Sequence, residues 1–442
     1  MFHVLLQNFQ AHYRLVNSYN KMNNKFIIKT FGCKTNQIES EYIKELLKNN
    51  GYIEVFKVLD ADFCIVNSCT VTQTADKKVL GFINNIKKKN KNIKVIAVGC
   101  YCQTHIDEAI KNPNIDIVLG NNEKFKILEH INKIKYKEVS NIFEENKFEE
   151  FIVNQVSRTR ATIKIEDGCN NRCSYCIIPF ARGKVRSNKV ENIINQINIL
   201  ENNGYSEIVL TGIHIGQWGM DFGLTLNDLL INIETTNIKQ YRLGSLTPNE
   251  INDDFFEIVS KSQKFCHHFH LSIQSLCDKT LKNMNRHYKA EDVINLIEKI
   301  KIVFPNAFIG CDIIVGFPDE TVEDFNVTYN NIKKSKLSKV HVFPYSRREN
   351  TIASKMKNQI NQKVKIERVK FIKDLSDVKH ISFLNENIGK TAKIIIEPNK
   401  NGEYYKGISD NYINILCDER FEGIKNAKFE KIIEDKILVK VL

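Results

Sequence analysis

Short apolar runs alternate with helix-length amphipathic segments over most of the chain, and this alternation restricts the fold more than any other feature. "KFIIKTFGC" leads into "NQIESEYIKELLKNNG", where Ile38, Tyr42, Leu46 and Leu47 fall on one helical face. "ADFCIVNSC" leads into "TADKKVLGFINNIKKKN", and "IKVIAVGC" and "IDIVLGNN" each lead into a further short helix. Strands this uniformly apolar must be covered on both faces, which a parallel sheet with helices on each side achieves. From Ala161 the alternation resumes with six more strand candidates: "RATIKIEDGC", "SEIVLTG", "QYRLGSL", "HHFHLSIQS", "FIGCDIIVGF" and "LSKVHVFPYS". Amphipathic segments such as "KVENIINQINILENNG" and "KAEDVINLIEKIKIVF" separate them. Six βα units predict a partial barrel with its functional groups at the C-terminal strand ends.

The period then changes. A basic helical pattern, "NQKVKIERVKFIKDLSDVKHISFL", places Val364, Val369, Ile372, Leu375 and Val378 near one face. The closing runs "GKTAKIIIEPN", "EYYKGISDNYINILC", "NAKFEKIIED" and "KILVKVL" are short, alternating and broken by Gly, Pro and Asn, which predicts a small antiparallel barrel. The chain is therefore read as α/β. An N-terminal parallel sheet domain spans residues 24–135 and a central partial (βα)6 barrel residues 155–345; a basic connector (346–380) and a terminal β-barrel (381–442) follow. The acidic stretch "VSNIFEENKFEEFIVNQVSRTR" links the first two.

Charge points to a polyanionic partner. Of the formal net charge of +12, much is concentrated between Asn331 and Lys379, with fourteen Lys/Arg against four Asp/Glu. Such a patch suits nucleic acid, and equally a solvated helix face. No apolar run reaches the length of a membrane span. The first 21 residues lack a signal-peptide pattern and read as an extension ahead of Met22, so a cytoplasmic location is expected.

In that compartment thiols stay reduced, so twelve cysteines are not expected to form disulfides. Cys64, Cys266 and Cys417 sit in apolar runs and read as small buried hydrophobes. Cys33, Cys69 and Cys100 each fall at or just past the C-terminal end of a predicted strand. In an open parallel sheet those ends share one edge, so the three thiols should converge on a metal site. A second trio, Cys169-x3-Cys173-x2-Cys176, follows the first strand of the central barrel. Thiolates favour zinc or iron–sulfur clusters, and structural zinc sites take four ligands. Three thiolates on a 4Fe-4S cluster leave one iron open to a small molecule.

This spacing resembles that of radical S-adenosylmethionine (SAM) enzymes, in which SAM binds the open iron and is cleaved to a radical that abstracts hydrogen. The stretches "FGCKTNQ", "NSCTVTQTADKK", "VGCYCQ", "DGCNNRCSYCIIPFARG", "VLTGIHIGQWG", "HLSIQS", "DIIVGFPDET" and "HVFPYSRRENT" resemble the tRNA methylthiotransferases within that group. The resemblance runs from about Asn24 to the C-terminus and likens the terminal barrel to that family's TRAM domain. It implies two 4Fe-4S clusters: Cys169, Cys173 and Cys176 for the SAM-binding one, and Cys33, Cys69 and Cys100 for an auxiliary one that delivers sulfur. Cys102 is then a spectator, and SAM serves both as radical source and as methyl donor. No catalytic side chain is assigned, because the cofactors carry the chemistry. Partners implied are the tRNA anticodon loop and an electron donor. "GCKTNQ", "CTVT" and "CIIPFARG" look closer to the branch acting on N6-threonylcarbamoyladenosine at position 37. Branches acting on isopentenyladenosine or on a ribosomal-protein aspartate are alternatives, as is a zinc-containing RNA-binding protein.

Tyr175 occupies the aromatic position usual before the last cysteine, where it would pack near the SAM adenine. Gly212, Ser245, Gln274 and Asp312 are expected at barrel-strand ends as contacts to SAM or substrate. Ser275-Leu276-Cys277 departs from the family's Ser-Gly-Ser and implies a bulkier loop. Arg182 and Arg186 are open to two readings, a phosphate contact or a surface salt bridge. His267, His268 and His270 read as surface and core residues.

Overall fold

The computed structural model describes residues 24–442 apart from residue 157. The reading of an N-terminal extension lies outside the described residues. Two compact units result: one runs to Glu145 and also takes in Phe180–Arg182, and the other comprises Asn146–Pro179 and Gly183–Leu442.

The first unit is a six-stranded sheet built from β1 (Lys25–Thr30), β2 (Ile53–Glu54), β3 (Phe63–Ser68), β4 (Lys94–Gly99), β5 (Ile117–Leu119) and β6 (Tyr136–Glu138), in the order β2-β1-β3-β4-β5-β6. Every neighbouring pair is parallel. β3 is buried at all six positions. Successive strand residues face opposite sides: Cys64 and Val66 pack with Val79, Ile83 and Ile86 of the helix Gln73–Lys89, whereas Phe63 and Ile65 pack with Ile43 and Leu47 of the helix Lys34–Asn49. Two-sided burial is why this strand reads as a continuous apolar run. β2 and β6 escape a pattern search because "IE" and "YKE" are too short and polar to show a period, as suits sheet edges.

In the second unit the six expected βα strands are all present. β7 (Ala161–Lys164), β10 (Glu207–Thr211) and β11 (Gln240–Leu243) form one parallel sheet, while β12 (Ser245–Leu246), β13 (His268–Gln274), β14 (Phe308–Val315) and β15 (Lys339–Pro344) form another. Gly244 splits "QYRLGSL" into β11 and β12. A small hairpin pairs β8 (Glu166–Asp167) with β9 (Arg186–Ser187). One apolar core runs through the partial barrel and its helices. Leu276 and Cys277 of the departing loop are absorbed by burial, and Asn331 Nδ2 donates to the Leu276 carbonyl at 2.8 Å.

β16 (Thr391–Asn401), β17 (Tyr404–Ser409), β18 (Asn414–Cys417), β19 (Lys425–Ile433) and β20 (Lys436–Val441) close into the terminal barrel, antiparallel except for the β18–β20 pair. Its core continues into Phe383 and Leu384 of the helix Gln362–Asn387.

That helix departs from the expected apolar face. Ile372 is buried, but Val378 is exposed, while Lys365, Arg368, Ser376 and His380 are buried. Lys365 Nζ donates to the Tyr345 carbonyl at 3.1 Å, and Arg368 is paired with Glu320. Part of the basic charge counted in the sequence is therefore consumed inside the fold. Helical spacing alone cannot tell a lysine that caps a carbonyl from one that faces solvent.

Candidate metal centres and barrel mouth

Cys69 and Cys100 directly follow β3 and β4, and Cys33 lies three residues past the end of β1; the three strands are adjacent in the sheet. Cys33 is the N-cap of the helix Lys34–Asn49, and Cys100 opens the helix Cys100–Thr104. A Cβ built on Gly32 would lie 2.8 Å from the Cβ of Cys69, so the chain before Cys33 must be glycine to approach this closely. Burial first, and then the neighbouring Cys100 and Cys33 thiols, push the Cys69 thiol up to about 12. Cys102 belongs instead to the apolar core with Val66 and Val95, where burial pushes it up to about 12.

Cys169, Cys173 and Cys176 lie on the loop after β8 and are half-buried. Burial, then Cys173, push the Cys176 thiol up to about 12; Cys169 is raised by burial and by both partners of its trio. Two segments clamp this loop. On one side Gln217 accepts from the Asn170 backbone N–H at 2.9 Å, and His214 Nδ1 is 3.2 Å from Cys169 Sγ. On the other, Ser174 Oγ donates to the Asn283 carbonyl at 2.7 Å, Asn285 Nδ2 donates to the Arg172 carbonyl at 2.9 Å, and Arg286 Nη1 is 3.3 Å from Cys173 Sγ.

Of the twelve cysteines, the four that are not buried are Cys33, Cys169, Cys173 and Cys176. All four belong to the two trios. Among the described residues no group of His, Cys, Asp or Glu is arranged to hold a single metal ion. All-sulfur trios with N–H donors directed at their sulfurs suit iron–sulfur clusters, whose ligating sulfurs are commonly hydrogen-bonded.

The expected SAM contacts distribute unevenly. Tyr175 is half-buried against Met284, Phe317 and Tyr345. Gly212 follows β10, and a Cβ there would meet Glu166 Oε2 at 2.5 Å. Ser245 is exposed at the start of β12. Gln274 ends β13 with φ +70° beside a register shift, a strained strand end of the sort that accompanies function. Asp312 is the exception: it lies inside β14, level with His341, and its Oδ2 is 3.1 Å from His270 Nε2. The "CDIIVGF" run is longer than a strand end, so pattern alone misplaced it.

Neither arginine lies at the surface, so the surface form of the salt bridge is not observed. Arg182 is wholly buried, with Nε 3.3 Å from Cys100 Sγ, and Arg186 is buried 3.7 Å from Asp167. His268 stacks on Tyr412 with ring centroids 3.9 Å apart. The sequence reading also missed Glu166, whose Oε2 accepts the backbone N–H groups of Ile213 and His214 at 2.9 and 2.7 Å. Its buried Oε1 has no hydrogen-bond partner among the described residues. Burial raises this carboxyl well above the usual range, against the pull of those two N–H donors. A buried oxygen of this kind beside Gly212 suits a polar ligand such as SAM. His214 and Arg286 had no local signal, because their sulfur partners lie 45 and 113 residues away. No helix among the described residues is long and apolar enough to cross a membrane.

Comparison with known proteins identifies the family. Uncharacterized protein family UPF0004 matches residues 25–120, and the Radical SAM superfamily matches residues 163–332. The chain is 38% identical over 411 residues to a threonylcarbamoyladenosine tRNA methylthiotransferase, MtaB, of Thermotoga maritima, covering 92% of this chain and 93% of that protein. The protein of the same name from Bacillus subtilis is 38% identical over 424 residues, covering 92% of each. A tRNA-2-methylthio-N(6)-dimethylallyladenosine synthase of Clostridium tetani is 37% identical over 358 residues, 78% of this chain and 79% of that one. Among solved structures, the radical SAM methyltransferase TsrM of Kitasatospora setae shares the fold at a TM-score of 0.55 and 12% identity, covering 75% of this chain and 77% of that one. With identity of this level along nearly its whole length, the chain belongs to the radical SAM tRNA methylthiotransferases.

Proposed function

We propose that this chain installs a methylthio group at C2 of N6-threonylcarbamoyladenosine at position 37 of tRNA. The observation that carries the reading is the pair of all-cysteine trios, each with N–H donors at sulfur, in a chain 38% identical over 92% of its length to two enzymes named for that nucleoside. Relatives named for dimethylallyladenosine are 34–37% identical, against 36–38% for those named for threonylcarbamoyladenosine, which ranks isopentenyladenosine second and leaves a ribosomal-protein aspartate and a zinc-only RNA-binding role behind it.

In this reading Cys169, Cys173 and Cys176 hold the SAM-binding 4Fe-4S cluster, and Cys33, Cys69 and Cys100 hold the auxiliary one. When bound, the clusters and SAM supply the electron, the radical, the sulfur and the methyl group needed at a C–H position with no leaving group. The chain's own groups position and insulate. His214 and Arg286 hold two sulfurs of the SAM-side trio, and Glu166 and Gly212 shape the floor beside it. Tyr175, with its Phe317 neighbour at 6.5 Å between ring centroids, walls off one side. Ser245, Gln274 and the His270–Asp312 pair offer polar contacts along the barrel. The terminal barrel and the remaining basic charge of residues 331–379 suit the tRNA backbone. An external one-electron donor is required, and a tRNA substrate puts the reaction in the cytoplasm.

The decisive experiment is mass spectrometry of tRNA nucleosides from a strain lacking this gene, complemented with wild type or with Cys173→Ala. Loss of 2-methylthio-threonylcarbamoyladenosine, restored only by wild type, is expected; loss of the isopentenyl derivative instead would select the second reading. Anaerobically prepared protein should carry about eight irons per chain, for two four-iron clusters. Stoichiometric zinc without iron would overturn the enzyme reading.

A further inference from the structure

Arg182 lies six residues after Cys176, yet it packs within the first unit. Nη1 donates to Glu39 Oε1 at 2.6 Å, and Nη2 donates to Glu39 Oε2 at 3.1 Å and to Asn36 Oδ1 at 2.5 Å. Glu39 is itself wholly buried and also accepts from Lys124 Nζ at 2.6 Å. Lys124 donates onward to Asn121 Oδ1 at 2.9 Å, and Asn121 Nδ2 donates to the Ala181 carbonyl at 2.6 Å. These bonds fix the guanidinium plane from several directions. Its remaining edge, Nε–H, points at Cys100 Sγ at 3.3 Å.

A plain structural strut needs only the Arg182–Glu39 fork. It does not need the third edge directed at sulfur, since a neutral thiol is a weak acceptor. A thiolate is a strong one, and an arginine keeps its charge wherever it is buried. The arrangement is thus complete when Cys100 is a deprotonated ligand. Hydrogen bonds and positive charge at a cluster's sulfurs favour its more negative, reduced form and raise its potential.

We propose that Arg182 is a positioning residue for the auxiliary cluster: held by Glu39, it donates Nε–H to the Cys100 thiolate, fixes that ligand and raises the reduction potential of the cluster. The proposal rests on the reading that Cys33, Cys69 and Cys100 hold that cluster.

The test uses the full chain with Cys169, Cys173 and Cys176 all changed to Ala, so that only the auxiliary cluster remains. This parent should hold about four irons; an iron-free parent overturns the cluster assignment, and the proposal with it. In that background Arg182→Gln should lower the midpoint of an EPR-monitored redox titration. Reduction should become about tenfold less favourable, which is about 59 mV for one electron. Arg182→Lys, which keeps the charge without the planar fork, should fall between. An unchanged midpoint in an iron-loaded Arg182→Gln protein overturns the proposal. If both variants lose iron, an unchanged thermal melt supports it, because the ligand alone is released. A melt lowered together with the iron overturns it in favour of a strut.

Discussion

His214 joins the first cysteine of the Cys169–Cys173–Cys176 trio to the floor of the barrel: its Nδ1 lies 3.2 Å from Cys169 Sγ, and its Nε2 is 2.9 Å from Thr247 Oγ1 and paired with Glu250. The ring is held at both nitrogens, so it orients the sulfur rather than merely filling space. Partners of this kind typically affect metal affinity or activity by about 10- to 100-fold. His214→Ala should lower SAM cleavage or iron retention at this trio by that factor, measured by 5′-deoxyadenosine release and iron assay. Unaltered cleavage with full iron would remove His214 from the site.

Arg242 ties the partial barrel to the terminal one. It is buried, pairs with Glu207 Oε1 at 3.1 Å, and donates to the Ser409 and Asp410 carbonyls at 3.1 Å each. Arg242→Met leaves the buried Glu207 carboxylate with only the longer Arg160 pair at 3.6 Å, so the cost should approach the roughly 3–5 kcal/mol of a broken buried pair without reaching its upper end. A lowered melting temperature and early proteolysis near residues 409–410 are expected. The double change Glu207→Leu with Arg242→Met should recover much of the loss, since the uncompensated charge is then gone.

Lys301 gives a pH signature. Burial lowers its ammonium from 10.5 to about 8, while Nζ donates to the Ala307 carbonyl at 2.7 Å. Between about 8 and 10.5 the unfolded chain binds more protons at this site than the folded one, so stability contributed by this group rises with pH there. Below that window the penalty of a buried charge is fully present. Denaturant titrations at pH 7.5 and 10 should show this rise in wild type, and Lys301→Met should lack that share of it. Equal pH slopes for the two proteins would show that the site does not titrate in the window.

Gln274 holds φ +70° at the end of β13. Such a conformation costs a non-glycine residue about 1–3 kcal/mol. Gln274→Gly should therefore keep or raise the melting temperature, by roughly 1 kcal/mol at most after glycine's own entropy cost. It should also raise KM for SAM or for tRNA. Strain relief without kinetic effect would mark the residue as a turn and nothing more.

Much of this molecule was legible before folding was considered. β3 and β4 announce themselves because a strand buried on both faces must be apolar throughout. The thiols follow the strand ends because a parallel sheet brings those ends together. The two-residue β2 and three-residue β6 were not legible, being too short to carry a period. The long helix misled for a different reason: Lys365 and Arg368 are buried by capping Tyr345 and pairing with Glu320, and hydrophobic spacing does not see such partners.

The sequence by itself determined the strand–helix order, the six-strand partial barrel and the spacing of both cysteine trios, since each is written in residues close together along the chain. Tertiary structure alone decided which side-chain nitrogen meets which sulfur. Arg182 reaches Cys100 across 82 residues, His214 reaches Cys169 across 45, and Arg286 reaches Cys173 across 113. Those meetings depend on strand register and on how loops are clamped, and no local pattern of residue types encodes either.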